Sequence, residues 1–306
     1  MDRAVLIDEI RQLKQELDAV ILAHNYELGE IQDIADFCGD SLELSIKAAA
    51  IEARTIVFCG VRFMAETAKI LSPDKLVLLP VPDAGCDMAD MIDAEALRAW
   101  KAEHPGAFAV CYVNSTAEVK AECDLCVTSA NAPELVDMLP ADREILFLPD
   151  GNLGSFCARN GRLLRRWDGC CPVHQRMTTA MIERRRREFP GAKLLIHPEA
   201  PPEVTALADE ALSTGGMLRY VRESQDDTFI IGTEIGILHR MQQENPEKRL
   251  IPLTEQAICP HMKRIRLEEL LYAMQNRRTV IEIPEAIRER AEIPIRRMLE
   301  RDFSWL

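Results

Sequence analysis

The chain has 306 residues, 47% of them hydrophobic and 28% charged, the balance of a globular protein long enough for two or three domains. A net charge of −13 excludes nucleic acid as the main partner, because binding phosphates needs a basic surface. No apolar run approaches the roughly 20 residues that cross a bilayer, so no membrane partner and a cytoplasmic location are expected.

In chain order, the pattern opens with Leu6, Ile10, Leu13 and Leu17 on one helical stripe among charged residues, an amphipathic surface helix rather than a signal peptide. An apolar, strand-like run at 20–23 then ends at His24. A second run at 56–59 leads through Gly60 into a helical pattern, and a third at 76–79 closes at Pro80. A turn at 82–88 follows and carries Cys86. The same succession starts again with a run at 108–113 ending at Asn114, a stretch at 125–128 leading into Ser129 and Asn131, and a run at 145–148 closing at Pro149. Its turn, 167–174, carries Cys170 and Cys171. The block Arg184, Arg185, Arg186 and Arg187, between Glu183 and Glu188, reads as the solvated face of a helix. A third succession runs from 193–196 ending at His197, through Ser213 and Thr214, to 229–232 closing at Thr233. Cys259 follows in a loop beside Pro260.

Gly60, Ser129 and Ser213 each stand 20 residues before the residue closing the next run. Strand–helix alternation repeated three times predicts an α/β fold, with three small three-layer domains of parallel sheet related by a pseudo-threefold repeat. The expected bounds are 1–103, 104–189 and 190–306, the last including a C-terminal helical segment. Sites belong at the carboxyl ends of such strands. There is no G-x-G-x-x-G and no Walker loop, so neither a dinucleotide nor a nucleoside triphosphate is indicated. The helix starts at Ser129 and Asn131, or at Ser213 and Thr214, suit either phosphate binding or plain N-capping.

Ten cysteines exceed what a core needs, and a reducing compartment argues against structural disulfides. The single C-x-x-C, Cys123 and Cys126, lacks the second pair of a closed zinc site, so both are expected to be filler or surface thiols. Cys38, Cys59, Cys111 and Cys157 are flanked by apolar residues and read as small buried side chains. Cys86, Cys170, Cys171 and Cys259 lie in turns beside Gly or Pro. Spacing alone leaves two readings open: unrelated loop cysteines, or one ligand per domain at a three-domain junction.

Particular segments decide between them. His24, Asn25 and Tyr26, then Gly39, Asp40 and Ser41, then 58–69, then Gly85 with Cys86, resemble quinolinate synthase. So do Tyr112 with Asn114 and Ser115, Thr128 with Ser129 and Asn131, 148–150, and Trp167 to His174 through Cys171. The remainder are His197-Pro198-Glu199, Ser213-Thr214, Gly232-Thr233-Glu234 and 259–262. These matches run in order from about residue 20 to 265.

The resemblance implies an enzyme that condenses iminoaspartate with dihydroxyacetone phosphate, releasing phosphate and water to give quinolinate for NAD biosynthesis. It implies a central [4Fe-4S] cluster held by three cysteines, here Cys86, Cys171 and Cys259, with one open iron serving as Lewis acid. Cys170 falls where the family pattern is small and variable, and is treated as a neighbour. His24 and Tyr26 are expected to contact substrate carboxylate or carbonyl groups, with Ser41 in support. Tyr112 and Asn114 are expected to face the same cavity. Ser129, Ser213 and Thr214 match phosphate or carboxylate contacts, and His174 lies close enough to join the pocket. His197 and Glu199 are the acid–base candidates, with Tyr26 and Tyr112 as further proton carriers. His104, His239 and His261 have no matching position. Many relatives have cysteine where this chain has Ala200, so that position holds no essential ligand. A short-lived imine also suggests coupling to an aspartate-oxidising enzyme. The rivals are another iron–sulfur dehydratase acting on a hydroxy acid, a cluster-based redox sensor, and a structural zinc protein.

Overall fold

Apolar runs that end in a polar residue become the inner strands of three separate sheets. The computed structural model describes residues 2–158 and 164–306. The first sheet contains β1 (Ala19–His24), β2 (Phe37–Gly39), β3 (Thr55–Cys59) and β4 (Leu76–Leu78), in the order β2-β1-β3-β4. The second contains β5 (Phe108–Tyr112), β6 (Leu125–Val127), β7 (Ile145–Leu148) and β8 (Leu164–Arg166), in the order β6-β5-β7-β8. The third contains β9 (Lys193–Ile196), β10 (Glu210–Ala211), β11 (Thr228–Gly232) and β12 (Arg249–Pro252), in the order β10-β9-β11-β12. Every pairing is parallel. The expected three α/β units with parallel sheets are therefore what the chain forms.

Inner strands read as continuous hydrophobic stretches because helices cover both sheet faces. All five residues of β3 and all four of β7 are buried. In register, Ala23 pairs with Cys59, Cys111 with Leu148, and Ile196 with Gly232, so the three inner pairs end level.

The repeat is real, but its alignment differs from the sequence expectation. The run at 56–59 is the third strand of its sheet, not the second. The second is β2, whose three residues lie between Asp36 and Asp40 and are too short to show a pattern. The equal spacing of 20 therefore compared β3 and β4 with β6 and β7. With the topology in hand, β1, β5 and β9 are equivalent, and the turns carrying Cys86, Cys171 and Cys259 each follow a fourth strand.

The N-terminal helix Arg3–Glu16 is the amphipathic helix expected, with Leu6 and Ile10 buried. The chain beyond the third sheet returns to the other two. Helix Leu267–Asn276 packs on Arg3–Glu16 through Leu267, Leu270 and Leu271. Helix Glu285–Glu300 packs on β6 and on helix Ala117–Lys120. The arginine block lies in helix Thr179–Glu188, where Arg184 stays exposed while Arg185 turns inward to the Leu253 carbonyl. Among the described residues, no helix is long and apolar enough to cross a membrane.

Candidate active site

His24 is the last residue of β1, Tyr112 the last of β5, and His197 the first after β9. Three equivalent inner strands thus deliver their terminal side chains to one place, a cavity of about 300 Å³ at the carboxyl ends of all three sheets. Tyr26, Asn114 and Glu199 reach it from the loop immediately after each of these residues. Ser41 and Thr214 are first residues of helices Ser41–Ala50 and Thr214–Glu223, and Ser129 lies in the turn after β6; all three line the wall. Ser213 does not. Its hydroxyl accepts from the Gly216 N–H at 3.1 Å and donates to Asp40 Oδ2 at 3.3 Å, so it caps its own helix.

Cys86, Cys171 and Cys259 line the same cavity. Each stands three residues before a single 3-10 turn: Ala89–Met91, His174–Arg176 and Met262–Arg264. The Cys86, Cys171 and Cys259 carbonyls accept from the N–H four residues on, at 3.2, 2.9 and 3.3 Å. Each sulfur also accepts from the backbone N–H groups two and three residues on. Burial pushes the Cys86 thiol up to about 12, against the pull of the Ala89 N–H, and the Cys259 sulfur adds to the rise. Burial likewise raises Cys171, with Glu199 and then Cys86 adding to it, and burial raises Cys259. Three half-buried thiols within electrostatic reach, each already cradled by N–H donors, suit a metal centre whose own charge would hold them as thiolates. Cys170 lies outside the cavity and directs its backbone N–H to Met91 Sδ at 3.3 Å.

A polar network faces the sulfurs. The Tyr112 hydroxyl donates to Glu199 Oε1 at 2.6 Å, and His174 Nδ1 lies 2.8 Å from Glu199 Oε2 and 3.1 Å from Cys171 Sγ. His174 Nε2 meets Thr233 Oγ1 at 2.8 Å, and that hydroxyl meets Tyr26 Oη at 2.5 Å. His197 Nε2 meets Ser129 Oγ at 3.2 Å, and its ring stacks on His174 with centroids 4.9 Å apart. Burial lowers His24 to about 3 and His197 to about 4, so both imidazoles are neutral near pH 7. Burial alone would raise Glu199. The His197 and His174 rings and the hydrogen bonds from His174 and Tyr112 outweigh it, holding the carboxyl below the usual carboxylate range. The cavity thus pairs an ionised carboxylate with neutral imidazoles, an arrangement able to accept and return protons.

The family model described as quinolinate synthetase A protein matches residues 8–300. The chain belongs to the quinolinate synthetase A family. A quinolinate synthase of Dehalococcoides mccartyi is 53% identical over 300 residues, 98% of this chain and 99% of that protein. One from Methanoregula boonei is 52% identical over 299 residues, covering 97% and 99%. One from Geobacter metallireducens is 50% identical over 300 residues, covering 98% of each.

Within this member of the quinolinate synthetase A family, four features of the cavity escaped sequence reasoning. Thr233 was visible only as the end of a strand, yet it links Tyr26 to His174. His261 was set aside and does line the wall, with Nε2 2.9 Å from Asp87 Oδ1; its place two residues after Cys259 was the available signal. Asp150 is fully buried behind the wall, capping Asn152 and Leu153 through Oδ1. Lys263 joins two loops, donating to the Tyr26 carbonyl and pairing with Glu234 Oε1 at 2.9 Å, and Glu234 in turn accepts from the Cys259 N–H. Charged residues mid-loop give no pattern by which to find such a bridge.

Proposed function

We propose that this protein makes quinolinate from iminoaspartate and dihydroxyacetone phosphate, releasing phosphate and water, in the synthesis of NAD. The observation that carries the reading is the convergence of three matching cysteine turns, one after each sheet, on the cavity that holds Tyr112, His197 and Glu199. Membership in the quinolinate synthetase A family over residues 8–300 supports it.

In this reading Cys86, Cys171 and Cys259 hold a [4Fe-4S] cluster, which when bound supplies an open iron acting as Lewis acid toward a leaving oxygen. The remaining work falls to the chain. Glu199, ionised and held on Oε1 by Tyr112, accepts protons at Oε2 as the imine and its tautomers form. His197, neutral and tied to Ser129, passes protons through Nε2. His24 and Asn114 orient substrate oxygens, and Tyr26 does so from a hydroxyl fixed by Thr233. The substrate anions meet wall hydroxyls, among them those of Ser41 and Thr214 at the starts of helices Ser41–Ala50 and Thr214–Glu223. Ser213 holds the second of these helices in place. We divide the chain at 1–103, 104–189 and 190–306, place it in the cytoplasm, and couple it to an aspartate-oxidising enzyme because the imine hydrolyses quickly.

Anaerobic purification with iron and sulfide analysis, then a quinolinate assay with iminoaspartate generated in place, tests this. About four irons and four sulfides per chain and quinolinate formation are expected. A loaded cluster without quinolinate would favour another iron–sulfur hydro-lyase acting on a hydroxy acid, and an iron-free protein would sink the ligand set.

A further inference from the structure

The three cysteine turns are not identical. The residue three past the cysteine is Ala89 in the first, Met262 in the third, and His174 in the second. Of these three positions only the one in the Cys171 turn bears a metal-binding side chain, and Glu199 meets it from the loop after β9. The Cys171 sulfur, a His174 ring nitrogen and a Glu199 oxygen all lie within 4.8 Å of one another. We propose that the cluster-free protein binds one zinc ion at Cys171, His174 and Glu199, and that zinc and the iron–sulfur cluster compete for Cys171. The competition rests on the reading of Cys171 as a cluster ligand; the zinc site itself does not.

Donor geometry carries the proposal. Zinc bonds of about 2.0–2.3 Å set tetrahedral donors roughly 3.3–3.6 Å apart. Here Nδ1 stands 3.1 Å from Sγ and 2.8 Å from Oε2, so a spread of roughly half an ångström admits the ion. The outer partners are already in place. Thr233 Oγ1 meets His174 Nε2, which orients the ring and leaves Nδ1 for the metal. Tyr112 occupies Glu199 Oε1 and leaves Oε2. The Val173 and His174 N–H groups support the Cys171 sulfur. All three ligand residues face the cavity, so the fourth position stays open to water, as in three-ligand zinc sites. At mixed nitrogen, oxygen and sulfur donors zinc outcompetes ferrous iron, so a chain folded while iron or sulfide is scarce would be captured.

The test uses the full chain, freed of iron under anaerobic chelation and titrated with zinc chloride against a chromophoric chelator. One zinc per chain is expected in the parent, and the zinc-loaded protein should refuse iron and sulfide until chelated. His174→Ala should weaken zinc by about 100-fold or more and still take up iron and sulfide, while Thr233→Val should cost about 10-fold. Cys86→Ser should do the reverse, keeping zinc and losing the cluster; Cys171→Ser should lose both. A thermal melt of each variant reports its folding, and Glu199→Gln stands in for His174→Ala if the latter unfolds. No stoichiometric zinc in the parent, zinc affinity indifferent to both His174→Ala and Glu199→Gln, or zinc lost in a folded Cys86→Ser would overturn the site. A parent that binds zinc but never takes up iron and sulfide would end the competition and the quinolinate reading, with the zinc site intact.

Discussion

Two groups of three cysteines sit within this chain, one buried in the interior and one half-buried, with different prospects. Cys111, Cys123 and Cys126 gather on the second sheet, where Cys111 and Cys126 are register partners on β5 and β6. Their thiols serve the interior: Cys111 donates to the Tyr112 carbonyl at 3.2 Å and Cys123 to the Val119 carbonyl at 3.1 Å. Beside them lies the fully buried Lys120, whose ammonium donates to the Ser115 carbonyl. Burial works against a Cys111 thiolate, but the neighbouring thiols and Lys120 hold its pKa well below the ordinary thiol value. None of the three lines the cavity. Cys86, Cys171 and Cys259 instead lie in turns past the strand ends, with two backbone N–H groups on each sulfur and open volume in front. On the proposed ligand set, clustering of thiols is a poor guide to a metal centre. What separates the groups is unpaired backbone donors together with space, and both occur where strands stop.

The largest expected effect tests that contrast directly. Changing Cys86, Cys171 or Cys259 to alanine should abolish bound iron and sulfide and leave no measurable quinolinate formation, whereas Cys170→Ala should keep both. Iron retained in Cys171→Ala and lost in Cys170→Ala would reverse the assignment within that turn. Next comes Glu199→Gln, which preserves shape but removes the carboxylate; kcat should fall by about 10²–10⁴ with the cluster still loaded. If only KM rose, Glu199 would be a binding group and not a proton carrier.

How much of this was legible beforehand depended on the length of each signal. The runs 145–148 and 193–196 become strands over those same residues because, after the half-buried Lys193 that opens the second, each is an apolar stretch buried on both faces. β2 and β10, of three and two residues, hold too few side chains to show a period, and β8 contains Arg165 and Arg166 on an exposed edge. Strand-end polar residues such as His24 and His197 stood out by interrupting apolar runs. Thr233 interrupted one too, but a threonine at a strand end is common enough to pass for packing. Cys123 and Cys126 were expected as filler or surface thiols, and both are buried. The shared offset from each turn cysteine to its 3-10 turn lay hidden because three residues of 3-10 helix have no apolar periodicity.

A smaller effect distinguishes the surroundings of the two thiol groups by pH. His24 and His197, near the turn cysteines, have folded pKa values of about 3 and 4, below the value of about 6.5 in an unfolded chain. As pH falls through 6.5 the unfolded chain gains protons that the folded one does not, so each histidine withdraws stability, about 1.2 kcal/mol between pH 7 and 5.5. Buried acids such as Glu27 and Asp150 are raised and act in the opposite direction. The comparison must therefore be differential. Urea unfolding of cluster-free parent and His24→Gln at both pH values should show their stability gap shifting by about 1.2 kcal/mol in favour of the variant at pH 5.5. A gap that does not move would mean that His24 is protonated in the folded state.

The smallest effect on bound iron and activity is expected at Cys126, and it bears most closely on what separates the two groups. Cys126→Ala removes a fully buried sulfur from the centre of β6, only three residues before Ser129, which lines the cavity. Lost packing should cost about 1–2 kcal/mol, seen as a modest drop in the urea midpoint. Iron, sulfide and kcat should match the parent, because the strand backbone still pairs with β5 and nothing that reaches the cavity has changed. Proximity alone would predict otherwise, since Cys126 shares a short strand with the turn that carries Ser129. A drop in bound iron comparable to that of Cys86→Ala would therefore break the rule that place at a strand end, and not nearness or thiol number, decides which cysteines hold the centre.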